Sequence, residues 1–527
     1  MKTLFFQFTS LSFLLHIFFS TSLKSQNVGI GTNTPGQKLE VNGKIKLSSD
    51  TNLPESGTIR YNDQAQDFEG YSENEWQSFT SCKNNPGITD FNTGNGKNIR
   101  IAQFTSHERK QDLRYGTSVD IDEGYAVIGA PYENINGGAN TGAVYVMKKT
   151  QNGWIEDGKI TADDGQSGDL FGYSVKAKYD FFDILLVVGC PGSNVGSNLG
   201  QGAVYVFRKS GENWTQEAKL VLSTGTAFDS LGYAVTKPHK LNNIYHFGAG
   251  APYKNLNGQG GVGAVYIFHE TNNWSNTEID ISATNNQAGD RFGLSIALDS
   301  NVMIVGAPLH DSYNISNSGA AYIFKRDAGG VWEEKAEIAV DEPGVIDNFF
   351  GFSVALTRIE CSGGVCAVIG APNADVVAND ESGKVYVFRE TSGINWQLDA
   401  ELAVGDEGIT DETTNPKPKN LGFSVGIYGN DLVAGAPQSS AYTNCNGTEI
   451  TGIGRIYMFR NEGNIWARYG TISENVAENK IINSQVGYSV GIHGRTIIAG
   501  CPGANPNKIN HQGKVLLCKA DAQRALD

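Results

Sequence analysis

The chain has little of what would let it hold nucleic acid, cross a membrane or run the commoner catalytic chemistries. Lysine and arginine number 41 against 56 acids, a formal charge of −15. Phosphate recognition needs clustered cations, so the balance speaks against a nucleic-acid partner. Beyond the first twenty residues no apolar run approaches the ~20 residues of a membrane helix, and no transmembrane segment is expected after the N-terminus. The 8 histidines are scattered singly, without the spacing of a zinc site. There is no phosphate-cradling glycine loop and no nucleophile elbow. The sequence therefore reads as non-enzymatic, with no catalytic residue and no metal ligand to name. Methionine is scarce and glycine abundant, 4 against 64, a balance that disfavours helices and favours turns.

What is present is repetition, which fixes architecture before any other signal. Phe292-Gly293-Leu294-Ser295-Ile296 is followed by Gly306-Ala307-Pro308 and then by Gly319-Ala320-Ala321-Tyr322-Ile323-Phe324. The first piece recurs with its glycine at Gly116, Gly172, Gly232, Gly293, Gly351, Gly422 and Gly487. The second begins at Gly129, Gly189, Gly250, Gly306, Gly370, Gly435 and Gly500. The third carries Tyr145, Tyr205, Tyr266, Tyr322, Tyr386 and Tyr457, with Leu516 in the last copy. A fourth piece is headed by Trp154, Trp214, Trp274, Trp332, Trp396 and Trp466. Each is short, rich in β-branched and aromatic residues and bounded by Gly, Asn, Asp or Pro, the signature of a strand. Four strands per unit in seven units predict a seven-bladed β-propeller of four-stranded antiparallel blades, an all-β fold. The Phe or Leu before the first glycine reads as a wedge between neighbouring blades.

Phe-Gly followed by Gly-Ala-Pro in seven registered copies resembles the FG-GAP repeat, known from the propeller of integrin α-subunits and from bacterial secreted proteins. The resemblance covers residues 98–520 and implies a binding or adhesion role outside the cell. Integrin relatives hold calcium in an Asp-rich loop between the first and second strands. Here four of those turns, such as Asp122-Glu123-Gly124 and Asp299-Ser300-Asn301, are too short to converge carboxylates on one ion. No cofactor, calcium included, is expected. Asp112, Asp169, Asp229, Asp290 and Asp347 precede the first strands and are read as fixing turns through backbone N–H groups.

The rest of the chain divides around the ring. Residues 1–25 read as a signal peptide: Lys2, an apolar run from Leu4 to Phe19, then small polar residues. Export to the cell surface or the medium follows. Residues 26–79 form a small β-rich module resembling segments of tail-fibre-like proteins. That likeness implies a homotrimer through the module, with a small monomeric cap as the alternative. Residues 80–97 are a polar linker and 521–527 a tail. The seventh unit lacks a tryptophan strand, and Ile99–Phe104 precedes the first unit without a blade of its own. The simplest closure makes that segment the fourth strand of blade seven.

Seven cysteines are present. Cys361 and Cys366 flank Ser-Gly-Gly-Val and form a candidate local disulfide of an exported protein. Cys190 and Cys501 take the alanine place of Gly-Ala-Pro and read as buried small side chains. The long loops between second and third strands share one face with the connections between blades, and loops on a rigid scaffold carry function. On that face Tyr132, Asn134 and Asn136 in blade one match Tyr253, Asn255 and Asn257 in blade three, and Tyr313 and Tyr442 add aromatics. Tyrosine beside asparagine and glycine gives amphipathic area with hydrogen bonding, suited to a protein or a glycan. The reading is an extracellular binding protein; a lectin and a secreted hydrolase with a pocket on that face are its rivals.

Overall fold

The computed structural model describes residues 101–519 apart from 107–109, 152, 181–182, 272–273, 275–278, 341–345, 359–363, 377–380, 393–394, 405–418, 443–448, 451, 464, 474–482 and 507–510, and, before residue 101, only short backbone strands. The chain forms two compact units, residues 1–85 and 86–527. In the first, Val28–Ile30 pairs in parallel with Leu39–Val41, and Ile59–Asn62, Asp67–Ser72 and Glu75–Ser78 form an antiparallel meander. The expected signal segment, the faces through which the module would trimerise, Cys82, Cys361 and Cys445 lie outside the described residues.

The second unit is the seven-bladed propeller. Blade four shows the plan: Ser295–Asp299, Val302–Ala307, Ala320–Arg326 and Trp332–Ile338 pair antiparallel in chain order. First strands of successive blades touch one another, so they line the axis and the tryptophan strands lie outermost. Among the described residues two blades depart from the plan: blade seven takes its outermost strand from ahead of blade one, and blade three breaks its inner strand. Pro238 has no N–H for the ladder, and its inner strand splits into Ala234–Val235 and His239–Leu241.

Seven apolar clusters fill the seven seams, each drawn from two neighbouring blades. The wedge reading holds: Phe350 is buried in one cluster with Ile304 and Ile323 of blade four and Ile369 and Tyr386 of blade five, edge-on to Tyr386 with ring centroids 5.3 Å apart. The repeated glycines have a stricter cause. A Cβ on Gly306 would lie 1.9 Å from the Gly351 carbonyl oxygen of the next blade. A Cβ on Gly319, which sits at φ +85°, would lie 2.1 Å from the carbonyl oxygen of Phe350. Gly319 and Phe350 form a parallel bridge across the seam, and every seam has its counterpart, ending with Tyr115 and Gly513.

The ring closes as expected. Ile101–Phe104 pairs antiparallel with Lys514–Lys519 and completes blade seven. The closing strand is shorter than the segment 99–104, because Asn98–Ile99 pairs instead with Phe91–Asn92. Cys190 and Cys501 are fully buried, and the Cys190 thiol donates to the carbonyl of Asp169.

A serine two residues after each Phe-Gly glycine clasps the next blade. Ser118, Ser174, Ser295, Ser353, Ser424 and Ser489 each donate to the carbonyl of the neighbouring blade's first glycine. Blade three has Ala234 there, in the same register opposite Gly250. Ala234→Ser should therefore add a clasp to the Gly293 carbonyl and raise stability by about 1 kcal/mol. A denaturant midpoint unchanged or lowered by A234S would show that the blade-three seam differs from the other six.

Candidate functional site

Each first strand is entered by a turn of unusual backbone. Arg114, Leu170, Ser230, Arg291, Phe349, Asn420 and Gln485, each two residues before the Phe-Gly glycine, have φ between +48° and +63°. L-residues adopt this region at a cost, and the surrounding ring must hold them there. The glycine follows, and then one side chain at the top of the inner strand, beside the axis: Thr117, Tyr173, Tyr233, Leu294, Phe352, Phe423 or Tyr488. Thr117 is buried and the other six are half-buried, so they ring the mouth of the axis on the face of the long loops.

Five of these seven residues are aromatic, and they pack around the rim. Tyr173 and Tyr233 have centroids 4.9 Å apart, Phe352 and Phe423 4.9 Å, and Phe423 and Tyr488 5.0 Å. Burial raises the pKa of Tyr173, and the nearby Tyr233, Tyr488 and Tyr132 raise it further. Tyr488 is raised by burial and then by Tyr233 and Tyr132. These phenols stay protonated near neutrality and keep hydroxyls to offer a ligand.

Two of the tyrosines expected from the sequence join this rim. Tyr253 lies 6.0 Å from Tyr233 and carries the Arg291 guanidinium 4.1 Å above its ring. Tyr132 carries Arg114 in the same way at 4.8 Å. Stacked guanidinium–tyrosine pairs keep the cation planar and partly dry while its N–H edge remains open to a partner.

Two of the candidate asparagines close their own loops through the side-chain oxygen. Asn134 accepts the N–H of Asn140, and Asn255 that of Gly261, both at 2.9 Å. Asn194, Asp311, Asp375 and Asn505 close their loops in the same way, six residues across. Their side-chain oxygens hold the loops. Asn136 and Asn257 are exposed at loop tips with φ +50° and +52°. Tyr313 is 58% exposed on a short turn away from any of the stacked pairs. Tyr442 pairs through its backbone with Glu449. Cys366 lies buried on the second strand of blade five.

Below the mouth the axis is crossed by charge. Asp120 and Asp122 accept the edge N–H groups of Ala177 and Tyr179 in blade two. Lys237 of blade three reaches past blade two to both aspartates, at 3.4 and 3.3 Å, and His493 of blade seven meets Asp122 at 2.9 Å. Burial alone would raise the Asp122 pKa; His493, Lys237, Tyr179 and Lys178 together hold it well below the usual carboxylate range. Strand alternation thus places the Asp120-x-Asp122 pair in a seam-capping network. Asp169, Asp229 and Asp290 accept the N–H three residues before them, the turn-fixing role expected of these acids. Among the same set, Asp112 instead meets His511 and Asp347 meets the side chain of Asn317.

Comparison with known proteins agrees with this architecture. The FG-GAP repeat family matches residues 100–147, 154–207 and 274–324. Integrin alpha-2 of Bos taurus is 29% identical over 174 residues, covering 31% of this chain and 14% of the relative. Integrin alpha-2 of Mus musculus is 28% identical over 227 residues, 39% of this chain and 18% of the relative. Integrin alpha-6 of Gallus gallus is 31% identical over 213 residues, 38% and 19% respectively. The chain thus spans less than a quarter of the length of these relatives. Among the described residues no helix is long and apolar enough to cross a membrane. With three matched repeats, integrin α relatives and seven seams bridged through the same glycines, the chain carries an FG-GAP-repeat propeller of the integrin-α-like type.

Proposed function

We propose that this chain is an exported binding or adhesion protein that captures an extracellular protein or glycan at the aromatic mouth of its loop-rich face. The observation that carries the reading is the convergence there of Tyr173, Tyr233, Phe352, Phe423 and Tyr488 with the stacked pairs Tyr132–Arg114 and Tyr253–Arg291. Tyrosine and arginine dominate the energetics of recognition surfaces because they offer large rigid area and directed hydrogen bonds together. Leu199, Phe228, Tyr253, Tyr313 and Ile346, all more than a third exposed, add apolar area to the loops of this face. The likeness to integrin α chains and the N-terminal apolar run support a role outside the cell.

The test is a binding screen of the full chain on a glycan array and on a panel of extracellular-matrix and cell-surface proteins. A Tyr132→Ala, Tyr253→Ala double variant runs beside it. Each ring contributes area and a stacked cation, so binding should weaken about 10–100-fold, at 1.4 kcal/mol per tenfold, with the melting temperature held. A ligand that binds the double variant as tightly as the parent would move the site off the mouth.

A further inference from the structure

The sequence scatters its histidines, but blade three gathers three of them. His239 lies opposite His246, and His246 opposite His269, on three adjacent strands. Residues directly opposed across antiparallel strands project from the same face of the sheet, with Cβ atoms about 5 Å apart. The row lies at the end of the blade away from the mouth, beside the Asn242-Asn243 turn, and faces blade four. We propose that His246 and His269 form a two-histidine site for a late first-row divalent cation, copper(II) binding most tightly.

Ring geometry is the first support. The two imidazole centroids are 5.5 Å apart with ring planes inclined at 42°. A metal–nitrogen bond of about 2.0–2.1 Å places each centroid about 3.2 Å from the ion, so two rings on one ion stand about 4.5–5.2 Å apart. The observed separation needs only a small rotation. Orientation is the second support. His269 Nδ1 lies 2.7 Å from Thr271 Oγ1; with Nδ1–H donating to that hydroxyl, Nε2 carries the lone pair, and the contact fixes the ring as an outer hydrogen bond does for a metal-bound imidazole.

Charge sets the strength. Arg326 of blade four acts on both rings and opposes a cation, while Lys178, Lys237 and Asp299 act on His239. Among the described residues no three metal-ligating side chains converge, so water or a small anion completes the shell. Copper(II) leads because it heads the affinity order for nitrogen ligands.

The test uses the full chain with copper(II) chloride alone, read by equilibrium dialysis and electron paramagnetic resonance. One ion per chain with hyperfine structure from two imidazole nitrogens is expected. His246→Asn and His269→Asn should each weaken it at least about tenfold, and Thr271→Val about tenfold. His239→Asn should change it little. Arg326→Gln should tighten it severalfold, a gain that no misfolded variant would show. Binding that survives unchanged in the H246N/H269N double variant overturns the site. So does a parent spectrum without imidazole nitrogen, or an R326Q protein whose affinity is no higher.

Discussion

Deleting residues 1–106 should lower the melting temperature of the propeller far more than deleting residues 1–90. The shorter deletion leaves the closing strand Ile101–Phe104 paired with Lys514–Lys519. The longer one removes that strand and exposes the edge of Lys514–Lys519, which invites pairing with another chain. It also removes Phe104, buried in the seam with Val515 and Leu517 and edge-on to Trp154 at 6.1 Å. Burying one large apolar side chain is worth ~1.5–3 kcal/mol. Ser106 goes too, and with it the contact to the Tyr145 hydroxyl and the carbonyl that accepts from Gln512. Tyr145 still donates to Glu133 Oε2, so each lost bond is worth about 0.5–1.5 kcal/mol. Together these losses approach the ~5–15 kcal/mol that holds a domain folded. The longer deletion should aggregate or melt well below the shorter one in a thermal scan. Equal melting temperatures would mean that blade seven closes on three strands.

How much of this was legible in the sequence depended on whether the cause was periodic. Strand count, blade count, the wedge and the closing strand all follow from motifs that recur in register, and the structure agrees with each. The mouth was half legible. Tyr132 and Tyr253 are marked by the Pro-Tyr-x-Asn-x-Asn-Gly that blades one and three share, whereas the position just after each Phe-Gly glycine, aromatic in five of seven copies, lies one residue beyond the motif. Arg114 and Arg291 carried no signal at all: only the left-handed backbone at those positions sets a guanidinium over a neighbouring tyrosine. The asparagines are ambiguous for a related reason. Asn134 and Asn255 look the same in sequence whether their oxygens face a ligand or an N–H six residues on. The histidine row could not be read from spacing, because positions 239, 246 and 269 meet only once three strands are in register.

Gly306→Ala should destabilise the propeller by about 3 kcal/mol or more, although alanine is the smallest side chain that could be added. The new Cβ would lie 1.9 Å from the Gly351 oxygen, 2.3 Å from Ser295 Oγ and 2.9 Å from the Gly351 carbonyl carbon. Two of these three atoms are backbone, so no rotamer change relieves the contact. The serine that could turn away is itself bonded to that oxygen at 2.7 Å, and turning would break the clasp. Moving the backbone instead would separate blades four and five. Gly351 N–H donates to Gly370, and Gly319 bridges to Phe350, so the shift would strain the seam on both sides of the axis strand. Overpacking a tight core commonly costs 1–3 kcal/mol, and a rigid backbone contact in a closed ring belongs at the top of that range or above it. Gly158→Ala is the control. It is also a strand glycine near a seam, but its Cβ would meet only the Trp214 ring at 3.5 Å, and its midpoint should move by less than about 1 kcal/mol. Denaturant midpoints of the two variants separate the explanations. If G306A and G158A unfold together, the repeated second glycine is there for the turn it precedes, and the close approach of successive blades is not what requires it.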